Sequence, residues 1–130
     1  DARLKNAQII VTSPYTRALQ TASIISKETG IDIVVEPDIR EWQPDLTYQY
    51  KNSEEMKEYY NDYIKNNGIY PTNEKRKWET KEHLRNRGMS VIDKYKEKYD
   101  TIIVVAHKMV FQSICDCGDM KPAEIFETTF

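Results

Sequence analysis

The chain has 130 residues, with 19 Lys+Arg against 21 Asp+Glu, a net charge of −2, and 31% charged against 39% hydrophobic residues. That length fits one domain, and a mean hydropathy of −0.73 fits a modest core. The near-neutral balance supplies no general attraction to nucleic acid or an anionic membrane, and no stretch approaches the roughly 20 apolar residues of a membrane span.

In chain order, Gln8–Val11 reads as a short buried strand. Ser13-Pro14 then supplies an N-cap residue and a proline suited to a first helical turn. The helix from Pro14 to about Thr29 carries Ala18, Ala22 and Ile25 on one face, with Leu19 beside them, and Gly30 closes it. Asp32–Glu36 is a second strand, stopped by Pro37, and 37–52 reads as a loop. Asn52 with Glu55 resembles a capping box and opens a helix to about Asn66, with Met56, Tyr60, Tyr63 and Ile64 as its inner face. After a loop over 69–78, a helix from about Glu79 to Tyr99 spaces Leu84, Gly88, Val91, Ile92, Tyr95 and Tyr99 helically. Thr101–Ala106 is the most apolar strand, and Met109–Cys117 a short helix ending at Gly118. This alternation predicts an α/β fold, a three-layer α/β/α sandwich with a mainly parallel central sheet. Residues of about 43–82 form a helical insertion.

The chemistry-bearing candidates are few. Four glycines form no GxGxxG or GxxxxGK loop, which excludes the common nucleotide loops, and Cys115 and Cys117 make neither a disulfide framework nor a full zinc site. Ligands in open α/β sheets bind beyond the carboxyl ends of the strands. At the end of the first strand, the free N–H groups of the helix start form an anion site. Arg17 in the first turn can lean back over that site; the alternative is an ordinary surface arginine. His107 closes the third strand, as either an oxyanion donor or a packed turn histidine. Glu41, beside Trp42 in the loop after the second strand, is either a general acid with a raised pKa or an exposed loop charge. His83 reads as a surface residue and the two cysteines as packing thiols. The interleaved charges of 51–98 read as solvated helix faces, with no like-charge block longer than Lys75-Arg76-Lys77.

Three segments together resemble the histidine phosphatase (phosphoglycerate mutase-like) superfamily. Ile9-Ile10-Val11-Thr12-Ser13-Pro14-Tyr15-Thr16-Arg17-Ala18-Leu19-Gln20-Thr21-Ala22 is similar to its SSPxxRAxQTA segment. Ile39-Arg40-Glu41 is similar to its LxE segment. Val104-Val105-Ala106-His107, with Val110, is similar to VVSHGxxI. The resemblance implies a phosphomonoesterase acting through phosphohistidine, with Arg17 clamping phosphate, His107 as the second pocket histidine, and Glu41 as general acid and then base. It implies no metal or cofactor, and as partner a phosphorylated small molecule or phosphoprotein. Lys108 stands where the family usually has Gly; it either crowds phosphate or adds positive charge, and so counts as a substrate-binding candidate. Tyr48, Tyr50 and Trp78 are candidate pocket walls in a lid formed by the insertion.

The family's Arg-His-Gly nucleophile motif occurs nowhere among residues 1–130. The chain opens on Asp1 without a basic-then-apolar leader and stops in the apolar phrase ending at Phe130. It therefore reads as a family domain trimmed at both ends, from a cytoplasmic protein, and by itself not a competent phosphatase. The alternatives are a phosphoglycerate mutase, a non-catalytic phosphate- or phosphoprotein-binding module, and an α/β scaffold with accidental matches. The last predicts that Arg17, Glu41 and His107 do not meet.

Overall fold

Every residue in the three strands is β-branched, and such side chains suit a pleated surface and disfavour helix. The computed structural model, which describes residues 1–130, places them in one sheet: β1 (Ile9–Thr12), β2 (Ile33–Val35) and β3 (Ile102–Val105). The order is β2-β1-β3 and both pairings are parallel, with Val11 level with Val34 and Val104, and Thr12 level with Val35 and Val105. Side chains alternate across a strand, so Ile9 and Val11 face one side and Ile10 and Thr12 the other.

Helix α1 (Thr16–Thr29) covers the Ile10 side, burying Ala18 and Ala22. The opposite side holds the main core. Ile9 and Val11 pack there with Leu84, Val91 and Tyr95 of α3 (Lys81–Lys96) and Val110 of α4 (Lys108–Ile114). A Cβ on Gly88 would lie 3.2 Å from Ile114 Cγ2, so the glycine is what lets α4 approach α3 closely. This is the expected α/β architecture on a small parallel sheet. No helix is long and apolar enough to cross a membrane.

Several boundaries differ from expectation. Helix α1 starts at Thr16 rather than Pro14, because Ser13 stays in the sheet ladder, donating its N–H to Val105 O at 2.9 Å. The N-cap is Tyr15, which offers no side-chain bond to the helix. The 37–52 loop contains a 3-10 turn at Pro37–Ile39, whose Ile39 is fully buried, and a second such turn occupies Ala2–Asn6. Helix α2 (Ser53–Lys65) has the expected cap, with Asn52 Oδ1 accepting from Glu55 N at 2.9 Å. Of its expected inner face Tyr63 is buried, Tyr60 meets the edge of Trp42 but stays largely exposed, and Ile64 faces solvent, while Tyr59 packs against the core in addition. Helix α3 begins at Lys81 because the Thr80 hydroxyl caps it, and α4 stops at Ile114, where Cys115 turns extended.

Trp78 is not a pocket wall. It is fully buried, its ring meets Tyr63 and Tyr70 edge-on, and its Nε1 donates to Asp62 at 2.7 Å. The segment between β2 and α3 is thus part of the core as well as a cover. Tyr48 and Tyr50 are exposed.

Candidate active site

The strand order reverses at β1, which carries one connection on each face. Such a reversal opens a crevice at the carboxyl ends of the strands. Ser13 follows β1 there and His107 follows β3. Ser13 Oγ lies 2.8 Å from His107 Nε2 and accepts from Tyr15 N at 3.2 Å. The arrangement that satisfies all these groups has the Ser13 hydroxyl donating to Nε2, which leaves the proton on Nδ1. That nitrogen faces Glu41 Oε2 at 3.6 Å. The Tyr15 ring stands edge-on to the imidazole, centroids 5.2 Å apart, and its hydroxyl accepts from Gln43 Nε2 at 3.3 Å.

Burial pushes the His107 pKa down to about 4, aided by the positive charges of Arg17 and Arg87. The contact with Glu41 is therefore not an ion pair at neutral pH; the imidazole is a neutral donor. Its proton affinity falls on folding, so the unfolded chain binds more protons between about pH 4 and 6.5. Stability should rise with pH through that window, by of order 3 kcal/mol from this residue. NMR titration of the ring protons, assigned with His107→Asn, should give His107 a midpoint near 4. A midpoint near the ordinary histidine value would refute its dry environment.

Glu41 is half-buried between two buried anchors, Ile39 and Trp42. Burial raises its carboxyl pKa, against the opposing Trp42 N–H (2.9 Å to Oε1) and the charges of Arg17 and Arg87. Partial desolvation of this kind suits a proton donor. Arg17 reaches the same carboxylate from the other side, Nη2 to Oε2 3.9 Å, while its side chain stays 78% exposed. An ion pair that loose and exposed holds little energy, so the guanidinium is free to take a ligand oxygen instead. The uncapped N–H groups at the start of α1 lie beside it.

Arg17, Glu41 and His107 therefore meet, which removes the reading in which the motifs match by accident. Lys108 is not among the converging groups; its ammonium is paired with Asp119.

Two residues at the site escaped sequence reasoning. Glu79 is fully buried and Arg87 nearly so. Arg87 Nε and Nη2 donate to Glu79 at 2.7 and 2.8 Å. Nη1 donates to Asp38 O and Arg40 O, each at 2.7 Å, and Nη2 also to Glu41 O at 3.1 Å. Glu79 further accepts from Gln43 N at 3.2 Å and lies 2.6 Å from His83 Nδ1. Burial pushes the Glu79 pKa up, but Arg87, His83 and the Gln43 N–H outweigh it and hold the carboxylate ionised below its usual range. A signal was present: Arg87 falls on the apolar stripe of α3, between Leu84 and Val91.

No curated protein matches the chain. The sequence model of the histidine phosphatase superfamily (branch 1) matches residues 2–129. With a match of that extent, the chain belongs to the histidine phosphatase superfamily, branch 1.

Proposed function

We propose that these residues form the acid–base and phosphate-holding half of a phosphomonoesterase site working through phosphohistidine. The observation that carries the reading is the approach of the Arg17 guanidinium and the neutral His107 imidazole to one half-buried carboxyl, Glu41, at 3.9 and 3.6 Å. In the first step a nucleophilic imidazole nitrogen bonds to phosphorus and the ester P–O bond breaks, while Glu41 gives its proton to the departing oxygen. In the second, Glu41 takes a proton from water, whose oxygen bonds to phosphorus as the P–N bond breaks, releasing orthophosphate. Arg17 and the free N–H groups of α1 hold the nonbridging oxygens, and His107 donates Nδ1–H to one of them.

The nucleophile is not one of these 130 residues. The sequence holds only His83 and His107; His83 belongs to the Glu79 cluster, and both ring nitrogens of His107 are directed at Ser13 and Glu41. We favour hydrolysis over mutase transfer, because the Arg- and aromatic-containing phrases of the glycolytic mutases do not occur between Trp42 and Glu82. The substrate class is a phosphorylated small molecule or phosphoprotein. We place the protein in the cytoplasm, where its two free cysteines stay reduced.

The test is oxyanion binding, followed by NMR with vanadate and orthophosphate, beside an aryl phosphate assay. Arg17→Ala should weaken oxyanion binding roughly 10- to 100-fold, the loss of a charge-assisted pair, and the 130-residue chain should bind without turnover. Equal affinity in the variant would overturn the site. Turnover that vanishes with Arg17→Ala would mean that a nucleophile is present within the chain after all.

A further inference from the structure

We infer that the buried Glu79–Arg87 pair is a positioning device that holds the Glu41 carboxyl over the phosphate site by clamping the loop on which Glu41 is carried. The inference rests on the reading of Glu41 as the acid–base group. A guanidinium has five N–H donors, and each of the five bonds of Arg87 goes either to Glu79 or to a main-chain carbonyl of the 38–41 loop. None goes to solvent or to the crevice. Asp38 O, Arg40 O and Glu41 O are thus tied to one rigid plane. Glu79, its orientation set by Arg87, receives the Gln43 N–H on the far side of Glu41. The Trp42 indole donates to Glu79 O at 2.8 Å, which secures the same stretch a third time. Glu41 therefore sits between two segments anchored to the start and first turns of α3, although its own carboxylate touches neither anchor.

Such a clamp costs a buried charge pair, whose desolvation seldom adds net stability. A packed apolar contact would hold α3 to the loop at least as well. What the fork provides that an apolar contact does not is angular definition of three carbonyls at once, and an acid–base group needs that definition.

The test is the Glu41 titration, read by carboxyl-carbon NMR in wild type and in Arg87→Lys. The substitution keeps the positive charge but offers three donors instead of five, without the planar fork. The charged and titratable groups facing Glu41 are Arg17 from α1, His107 after β3, and Arg87 and Glu79 from the α3 side, so their net charge is unchanged. With the clamp loosened, Glu41 gains water and its midpoint should fall toward the ordinary carboxylate range, while Arg17-dependent vanadate binding persists. A purely structural pair would lower the melting temperature and leave the Glu41 midpoint in place, and that result would overturn the inference. Loss of vanadate binding in wild type would instead overturn the phosphatase reading, independently of the clamp. Should Arg87→Lys not fold, hydrogen exchange of the Gln43 amide in wild type decides the matter. The clamp requires it to exchange at least about 100-fold more slowly than the exposed loop amides, and exchange at their rate would overturn it.

Discussion

An Arg87→Met variant should lose about 3–5 kcal/mol of folding stability at pH 7, the cost of stranding one partner of a buried ion pair. Glu79 has no side-chain exposure, and without the guanidinium its charge would keep only the Gln43 N–H and His83 as partners. Three loop carbonyls would lose the Arg87 donor as well, of which Glu41 O would keep Gln43 Nε2 at 3.3 Å. Domains of this size have only about 5–15 kcal/mol in total, so the variant sits near unfolding at 25 °C. The deficit should shrink as the pH is lowered toward 5. In the variant, burial without Arg87 raises the Glu79 pKa in the folded state, so the folded form takes up a proton that the unfolded form takes up only at lower pH. Urea unfolding at pH 7 and 5, wild type beside variant, checks both statements. A loss under 1 kcal/mol at pH 7 would mean that water reaches Glu79 freely. Pairing the change with Glu79→Leu should recover part of the loss, because no charge is then stranded.

Trp78→Ala should cost a similar 3–5 kcal/mol, by a different cause. The indole is fully buried between Tyr63 and Tyr70, and truncation leaves a cavity that the helix and loop around it cannot fill. Asp62 also loses the indole N–H, the main group holding its carboxyl below the usual range, and keeps Arg76 at 2.9 Å. Trp78→Phe keeps one aromatic ring in place but removes the donor and part of the indole volume, so it should cost less than Trp78→Ala, about 1–3 kcal/mol. Thermal unfolding of the two variants measures how much of the loss the remaining ring prevents. Equal losses would assign the stability to the Asp62 bond instead.

Sequence periodicity was most informative where the local pattern and the environment agreed. The β-branched runs at 9–12, 33–35 and 102–105 became the three strands, and the stripe Leu84, Gly88, Val91, Ile92, Tyr95 became the buried face of α3. It was least informative where a distant partner decided the outcome. Ser13 has the composition of an N-cap, yet Val105 holds it in the sheet, so the helix starts two residues later than expected, at Thr16. Tyr60 and Ile64 match a helical stripe as well as Tyr63 does, and only the position of Trp42 and Trp78, which take the Tyr63 ring between them, buries Tyr63 and leaves Tyr60 at the exposed edge of Trp42. Lys108 lies next to His107 in sequence, but its charge is engaged by Asp119.

The order of motifs along the chain determined the alternating α/β fold, the strand ends at which Arg17 and His107 lie, and the superfamily resemblance. These follow from side-chain type and near-neighbour spacing, which act over one or two turns of chain. Only the tertiary structure decided that Glu41 lies within 3.9 Å of Arg17 and 3.6 Å of His107, that Ser13 bonds a histidine 94 residues away, and that Glu79 and Arg87 are buried partners. The burial of a charge depends on which distant groups satisfy it, and those groups are assembled only when the chain closes on itself.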